Sequence, residues 1–82
     1  MRVNDIAARL TRCFSAVFPS IPEQQIATAS LETVEGWDSV AAATIVVTIE
    51  EEFGIEFEVE VLSNLSSYQS IFGYLSGLLV RE

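Results

Sequence analysis

Apolar residues over 4–18 recur at three- and four-residue spacing. Ile6, Leu10, Cys13, Phe14 and Val17 share one face, with Ala8, Arg12 and Ser15 opposite. This period predicts an amphipathic helix, with Asn4 as its cap and Pro19 as its stop. Over 39–53, at about 100° per residue, Ala42, Ile45, Val46, Ile49 and Phe53 fall on one side. The β-branched content of 45–49 leans toward a strand. The length of the segment, Asp38 before it, the Glu50-Glu51-Glu52 run and Gly54 after it decide for a helix. A last helix is predicted over 67–80, buried through Tyr68, Ile71, Phe72, Leu75, Leu78 and Leu79. Ser66 and Gln69 fit a capping box there, and Ser67 is the other candidate cap. Gly73 and Gly77 lie on its outer side and weaken it.

Between these helices the pattern changes. Residues 19–37 form a long connection punctuated by Pro19, Pro22, Thr28, Ser30, Thr33 and Gly36. Ile21, Ile26, Leu31 and Val34 are spaced as if to pin it across a bundle, with room for a helical turn starting at Pro22. Ile55, Phe57, Val59 and Val61 alternate with Glu56, Glu58 and Glu60, which is strand period. No other segment reads as a strand, so a strand here lacks a partner. A loop leading into a short helix near Val59 to Asn64 is the preferred reading. The expected fold is all-α: a four-helix bundle of three longer helices and one short helix, with a long connection between the first and second helices.

Composition narrows the function. The chain has 82 residues, half of them hydrophobic, which suits one domain over 1–82. Met1 at the start, and the lack of a long linker at either end, lead us to expect a free-standing domain. No apolar run is long enough to span a bilayer, and residues 3–18 alternate rather than form a signal-peptide core. One cysteine excludes an internal disulfide and suits a reducing compartment. A cytoplasmic, soluble monomer is expected. Twelve acids against four arginines give a net charge of −8. Such a surface repels phosphate backbones, which argues against nucleic acid and toward basic partners. Cys13, on the apolar stripe, reads as a core residue rather than a reactive thiol.

With no histidine and no lysine, neither a Ser-His-Asp triad nor a Ser-Lys dyad can form. Zinc sites of the Cys/His kind are excluded as well. The Gly-containing pattern of a calcium loop is absent around the Glu56 to Glu60 acids, which read as a solvated rim. No metal is therefore expected. What stands out is Gly36-Trp37-Asp38-Ser39-Val40. Asp38 can cap the central helix. Ser39 then falls at the first helical position, beside the positive end of the dipole, where an attached phosphate is favoured. A serine so placed, without a base to activate it, is an acceptor of chemistry done elsewhere. Val40, Ala43 and Val47, with Thr44 and Glu51 among them, fall on the face away from the core and form a candidate docking stripe.

These residues resemble a known family. Asp38-Ser39-Val40 at a helix start is similar to the phosphopantetheine attachment motif of acyl carrier proteins, usually Asp-Ser-Leu. The likeness continues through Ile45-Val46-Val47-Thr48-Ile49-Glu50-Glu51-Glu52-Phe53-Gly54-Ile55, then Leu65-Ser66-Ser67-Tyr68 and Tyr74-Leu75, so it covers nearly the whole chain. The resemblance implies a four-helix bundle with a carrier role. A separate phosphopantetheinyl transferase uses coenzyme A and magnesium to attach 4′-phosphopantetheine to the serine. The arm's thiol then holds acyl groups as thioesters. By position, Ser39 is the attachment site, Asp38 caps the helix and engages the transferase, and Val40 and Val47 take the family's docking positions, with Glu51 on the same stripe. Acyl-loading and acyl-processing enzymes with basic docking surfaces are the implied partners.

Three positions depart from the family's pattern. Ala41 and Thr44 stand where acids are frequent, Val40 replaces Leu, and Trp37 is bulkier than usual, with core packing favoured over contact with the arm. An aminoacyl or peptidyl carrier shares the serine motif. An unmodified acidic helical adaptor remains the alternative from another class.

Overall fold

The computed structural model describes residues 2–80; Met1, Arg81 and Glu82, at the ends of the expected domain, lie outside the described residues. Among the described residues five helices occur in order: α1 (Val3–Val17), α2 (Glu23–Ile26), α3 (Ser39–Phe53), α4 (Val59–Leu62) and α5 (Tyr68–Leu79). The three long ones are those expected. The short helix near Val59 is α4. The helical turn starting at Pro22 is α2, so the bundle has two one-turn helices rather than one.

Ile6, Leu10, Cys13 and Phe14 of α1 meet Ile45, Ile49 and Phe53 of α3 and Tyr68, Ile71 and Leu75 of α5 in one core. Phe14 is its hub. Its ring centroid lies 5.6 Å from that of Trp37 at a 74° angle and 5.3 Å from that of Tyr68 at 61°. Such edge-to-face contacts add about 0.5–1.5 kcal/mol each beyond burial. Phe18, just beyond α1, is also buried and stands 5.4 Å from Trp37. The three- and four-residue spacing of α1 extends to Phe18, so the same period could have found it.

Arg9 binds α1 to the end of α3. Its Nε donates to Glu52 Oε2 at 2.6 Å, its Nη2 donates to the Glu52 carbonyl, and the guanidinium lies 5.0 Å from the Phe53 ring centre. A cation at a helix C-terminus is favoured by the dipole as well as by the carboxylate. Gly54 closes α3 in the left-handed region, at φ 65°, where a Cβ is disfavoured.

The long connection is pinned, though not by Leu31, whose side chain is 49% exposed. A main-chain bridge joins Ser30 to Ser67. Leu31 N–H donates to the Ser66 carbonyl at 2.7 Å, and Tyr68 N–H donates to the Ala29 carbonyl at 2.9 Å. Backbone pairing gives the connection its hold, while Ile26 and Ala29 supply the burial. The alternating 55–61 segment forms no strand. Phe57 turns inward against Tyr74, at 5.4 Å between centroids, and Val59 is 80% exposed.

Three end assignments are corrected. Asn4 does not cap α1, because the helix begins one residue earlier with Arg2 in the cap position and no side-chain cap bond. The box at α5 is Ser67 with Ser70, not Ser66 with Gln69. The Gln69 amide instead donates to the Ala27 carbonyl at 3.0 Å. Leu78, expected in the stripe, is 48% exposed because it falls at the stripe's edge near the helix end.

Phe14→Ala should lower the unfolding free energy by about 3–5 kcal/mol, a large part of the roughly 5–15 kcal/mol available to a domain. Urea denaturation measures it. A loss below about 1 kcal/mol would show that the aromatic cluster is not what joins α1 to α5.

Candidate functional site

The candidate serine sits where burial ends. Trp37 is 3% exposed and anchored against Phe14 and Phe18. Its backbone N–H donates to the Val34 carbonyl at 3.1 Å, and Asp38 backbone N–H donates to the Gly36 carbonyl at 3.1 Å. This tight turn brings the chain back to the surface at Asp38. Asp38 caps α3 as expected: Oδ1 accepts from Ala41 N–H at 2.9 Å, and its carbonyl accepts from Ala42 N–H at 2.8 Å.

Ser39 follows as the first residue of α3 and is exposed. The N–H groups of Ser39 and Val40 belong to the first turn, where no helical carbonyl can reach them. They add to the positive end of the helix dipole, which is a favourable setting for a phosphate joined to the serine oxygen.

The residues expected on the outer stripe are brought together. Val40, Thr44, Val47 and Glu51 follow one another along α3 at helical spacing, and all are exposed. Val40 is 74% and Val47 51% exposed. The inner side buries Ile45, Ile49 and Phe53, with Ala42 and Val46 half-buried.

Two features of this face went unread in the sequence. Thr44 Oγ1 donates to the Val40 carbonyl at 2.9 Å, and Thr48 Oγ1 donates to the Thr44 carbonyl at 2.7 Å. Their hydroxyls are spent on the helix itself, a known habit of mid-helix threonine. The second is Glu50, half-buried near the end of the helix, which acts as a fastener. Its Oε2 accepts from Phe57 N–H at 2.8 Å, which holds the loop after α3 against the bundle. Its glutamate identity carries no signal of this, since the partner is a backbone group seven residues on.

Cys13 is buried, and its thiol is pushed from 9.0 up to about 11. Burial is the main cause and the charge of Glu52 the next, with Arg9 and Arg12 opposing. It is a core residue. Among the described residues no helix is long and apolar enough to cross a membrane.

The fold and the site together define a helical-bundle protein that displays a serine at a helix start with no histidine or lysine to activate it. The sequence model of one protein family, described as the phosphopantetheine attachment site, matches residues 4–75. The chain belongs to this phosphopantetheine-binding family, and its prosthetic group is covalently attached 4′-phosphopantetheine. A search of curated proteins finds no match to the chain.

Asp38→Ala removes the cap bond and should cost about 1 kcal/mol of stability, read from chemical denaturation. No loss would mean that the α3 start is held by Trp37 alone.

Cys13 should resist iodoacetamide at neutral pH in the folded apo protein and react fully in denaturant. Because the folded thiol has the raised pKa, its contribution to stability is complete below 9.0 and is lost as pH rises through about 11. Rapid labelling of the native protein would overturn the core assignment.

Proposed function

We propose that Ser39 carries the 4′-phosphopantetheine arm and that the protein is an acyl carrier of a fatty-acid, polyketide or related specialised pathway. The observation that carries this reading is the exposed serine at the capped start of α3, within the family match. Ser39 Oγ attacks the phosphorus of coenzyme A that bears the pantetheine. The Oγ–P bond forms, the pyrophosphate P–O bond breaks, and adenosine 3′,5′-bisphosphate leaves. The serine proton passes to a base on the transferase, since this chain offers neither histidine nor lysine.

When bound, the arm supplies a thiol that holds the acyl group as a thioester. The chain itself presents and does not catalyse. Asp38 fixes the helix start under Ser39, and the first-turn amides face the phosphate. Acyl-loading and acyl-processing enzymes with basic surfaces meet an acidic protein of net charge −8. The reading places the protein in the cytoplasm, where coenzyme A is at hand and a free buried thiol such as Cys13 stays reduced.

Incubation with coenzyme A, magnesium and a broad-specificity transferase should raise the intact mass by one phosphopantetheine, and Ser39→Ala should abolish the gain. An equal gain in the variant would move the attachment elsewhere. Loading of the holo protein by fatty-acyl ligases, and not by aminoacyl ligases, should follow. The reverse outcome would make it an aminoacyl or peptidyl carrier.

A further inference from the structure

Both halves of the long connection between α1 and α3 line one cleft of about 400 Å³. That is within the roughly 300–1,000 Å³ of small-molecule sites. Ile21, Pro22 and Val34 give it apolar walls, and Ile21 and Val34 also pack against the core. Ser20, Gln25 and Glu35 are exposed on it and supply a hydroxyl, an amide and a carboxylate. The hydroxyls of Thr28 and Thr33, on the same walls, are engaged locally. Thr28 Oγ1 donates to the Gln25 carbonyl at 3.0 Å, and Thr33 Oγ1 shares a hydrogen bond with Ser30 Oγ at 3.1 Å. Gly36 borders the cleft as well. A Cβ there would meet no atom within 4 Å, and its φ is not positive. The backbone at 36 therefore accepts any residue, and the bare Cα leaves the edge of the cleft open.

The cleft lies at the Ser39 end of the bundle. α1 and α3 run antiparallel, since Arg9 pairs with Glu52 near the end of α3 while Phe18, just after α1, packs on Trp37, just before α3. One wall, Ser20 to Pro22, begins two residues after Phe18, and the other, Val34 to Gly36, leads straight into Trp37. Ser39 is three residues beyond Gly36, at most about 11 Å away even if the chain between them were extended.

We propose, on the reading of Ser39 as the attachment site, that this cleft of the long connection holds the phosphopantetheine arm against its own carrier between enzyme encounters. The chemistry of the arm fits both kinds of wall. Its paired methyl groups and methylenes suit Ile21, Pro22 and Val34, and its amides and hydroxyl suit Ser20, Gln25 and Glu35. Glu35 sets the direction. A carboxylate accepts from amide N–H and hydroxyl groups and repels a phosphate, which stays beside the first-turn amides of α3. The affinity needed is low, because a short flexible tether gives a roughly millimolar effective concentration. A site too weak to capture free pantetheine is thus occupied once the arm is attached.

The test compares the full chain without and with the arm by amide NMR, after intact mass has confirmed one phosphopantetheine on the loaded form. Attachment should shift the amides of Ser20, Ile21, Gln25 and Glu35 as well as those next to Ser39. The methyl protons of the arm should show cross-relaxation to the methyls of Ile21 and Val34. Gly36→Leu fills the cleft, so its loaded form should lose both signals while keeping the mass gain and the helical circular dichroism. Glu35→Ala, at an exposed position, should lose the shift at Gln25 and serves as the second variant if Gly36→Leu fails to fold or load. Shifts confined to residues 37–41, arm contacts to α3 alone, or cleft contacts that persist unchanged in the variants would each overturn the proposal. Failure of the wild type to gain mass, or an equal gain in Ser39→Ala, would instead sink the attachment reading, so the two failures are separable.

Discussion

Trp37 is drawn into the cluster of Phe14 and Phe18, and that burial decides where α3 begins. A tryptophan side chain buries about 150–250 Å², worth roughly 4–6 kcal/mol as an upper bound at ~25 cal/mol/Å². Its indole Nε1 is buried without a hydrogen-bond partner among the described residues, which costs about 1–3 kcal/mol. Burial of the ring outweighs the unpaired N–H, so the ring stays in. With position 37 held inside, the chain turns outward at Asp38, and Ser39 becomes the first helical residue on the exposed side. The α3 start follows from a tertiary anchor and its adjoining cap together. Local propensity alone, with β-branched Ile45, Val46, Val47, Thr48 and Ile49 in succession, would not have secured it.

From that start, a single helix faces two ways. Ile45, Ile49 and Phe53 bury against α1, and their loss would be felt as stability. Val40, Ala43 and Val47 face solvent and contribute little to stability. The acids follow the same division. Glu52 is tied to Arg9 and Glu50 to the Phe57 amide, so part of what composition counts as surface charge fastens the far end of α3. Glu51 remains exposed between them.

Much of this was legible in the sequence because the long helices have a strong period and clear ends. The buried face of α1, the α3 span from Ser39 to Phe53 and its stop at Gly54 all follow from spacing and cap chemistry. The common exposed face of Val40, Val47 and Glu51 was legible for the same reason, and cap chemistry put Asp38 and Ser39 at the start of that helix. What escaped was what spacing does not encode. Leu31 looked like an anchor, yet the connection is held by backbone pairing of Ser30 with Ser67, and backbone groups are the same in every residue. Ser70 takes the box position in the α5 cap because Ser67, not Ser66, is the cap residue, which leaves the Gln69 amide to donate to the Ala27 carbonyl. The back-bonded threonines were invisible too, since a sequence shows a hydroxyl but not where it is turned.

Those threonines change the meaning of the helix front. Replacing an acid by threonine at a surface position would ordinarily leave a polar, hydrated site. Here the hydroxyls of Thr44 and Thr48 are within 2.9 Å and 2.7 Å of helical carbonyls, so the donors that water would meet are already satisfied. Each hydroxyl oxygen keeps only its acceptor lone pairs for water, beside the exposed carbon of Val40, Ala43 and Val47. A narrow apolar strip of this kind can stay exposed without driving association, because the whole chain carries −8 and copies repel one another. The general acidity and the local neutrality thus work at different ranges. Net charge acts over the whole molecule, while the uncharged stretch from Ser39 to Ile49 is a local feature of α3.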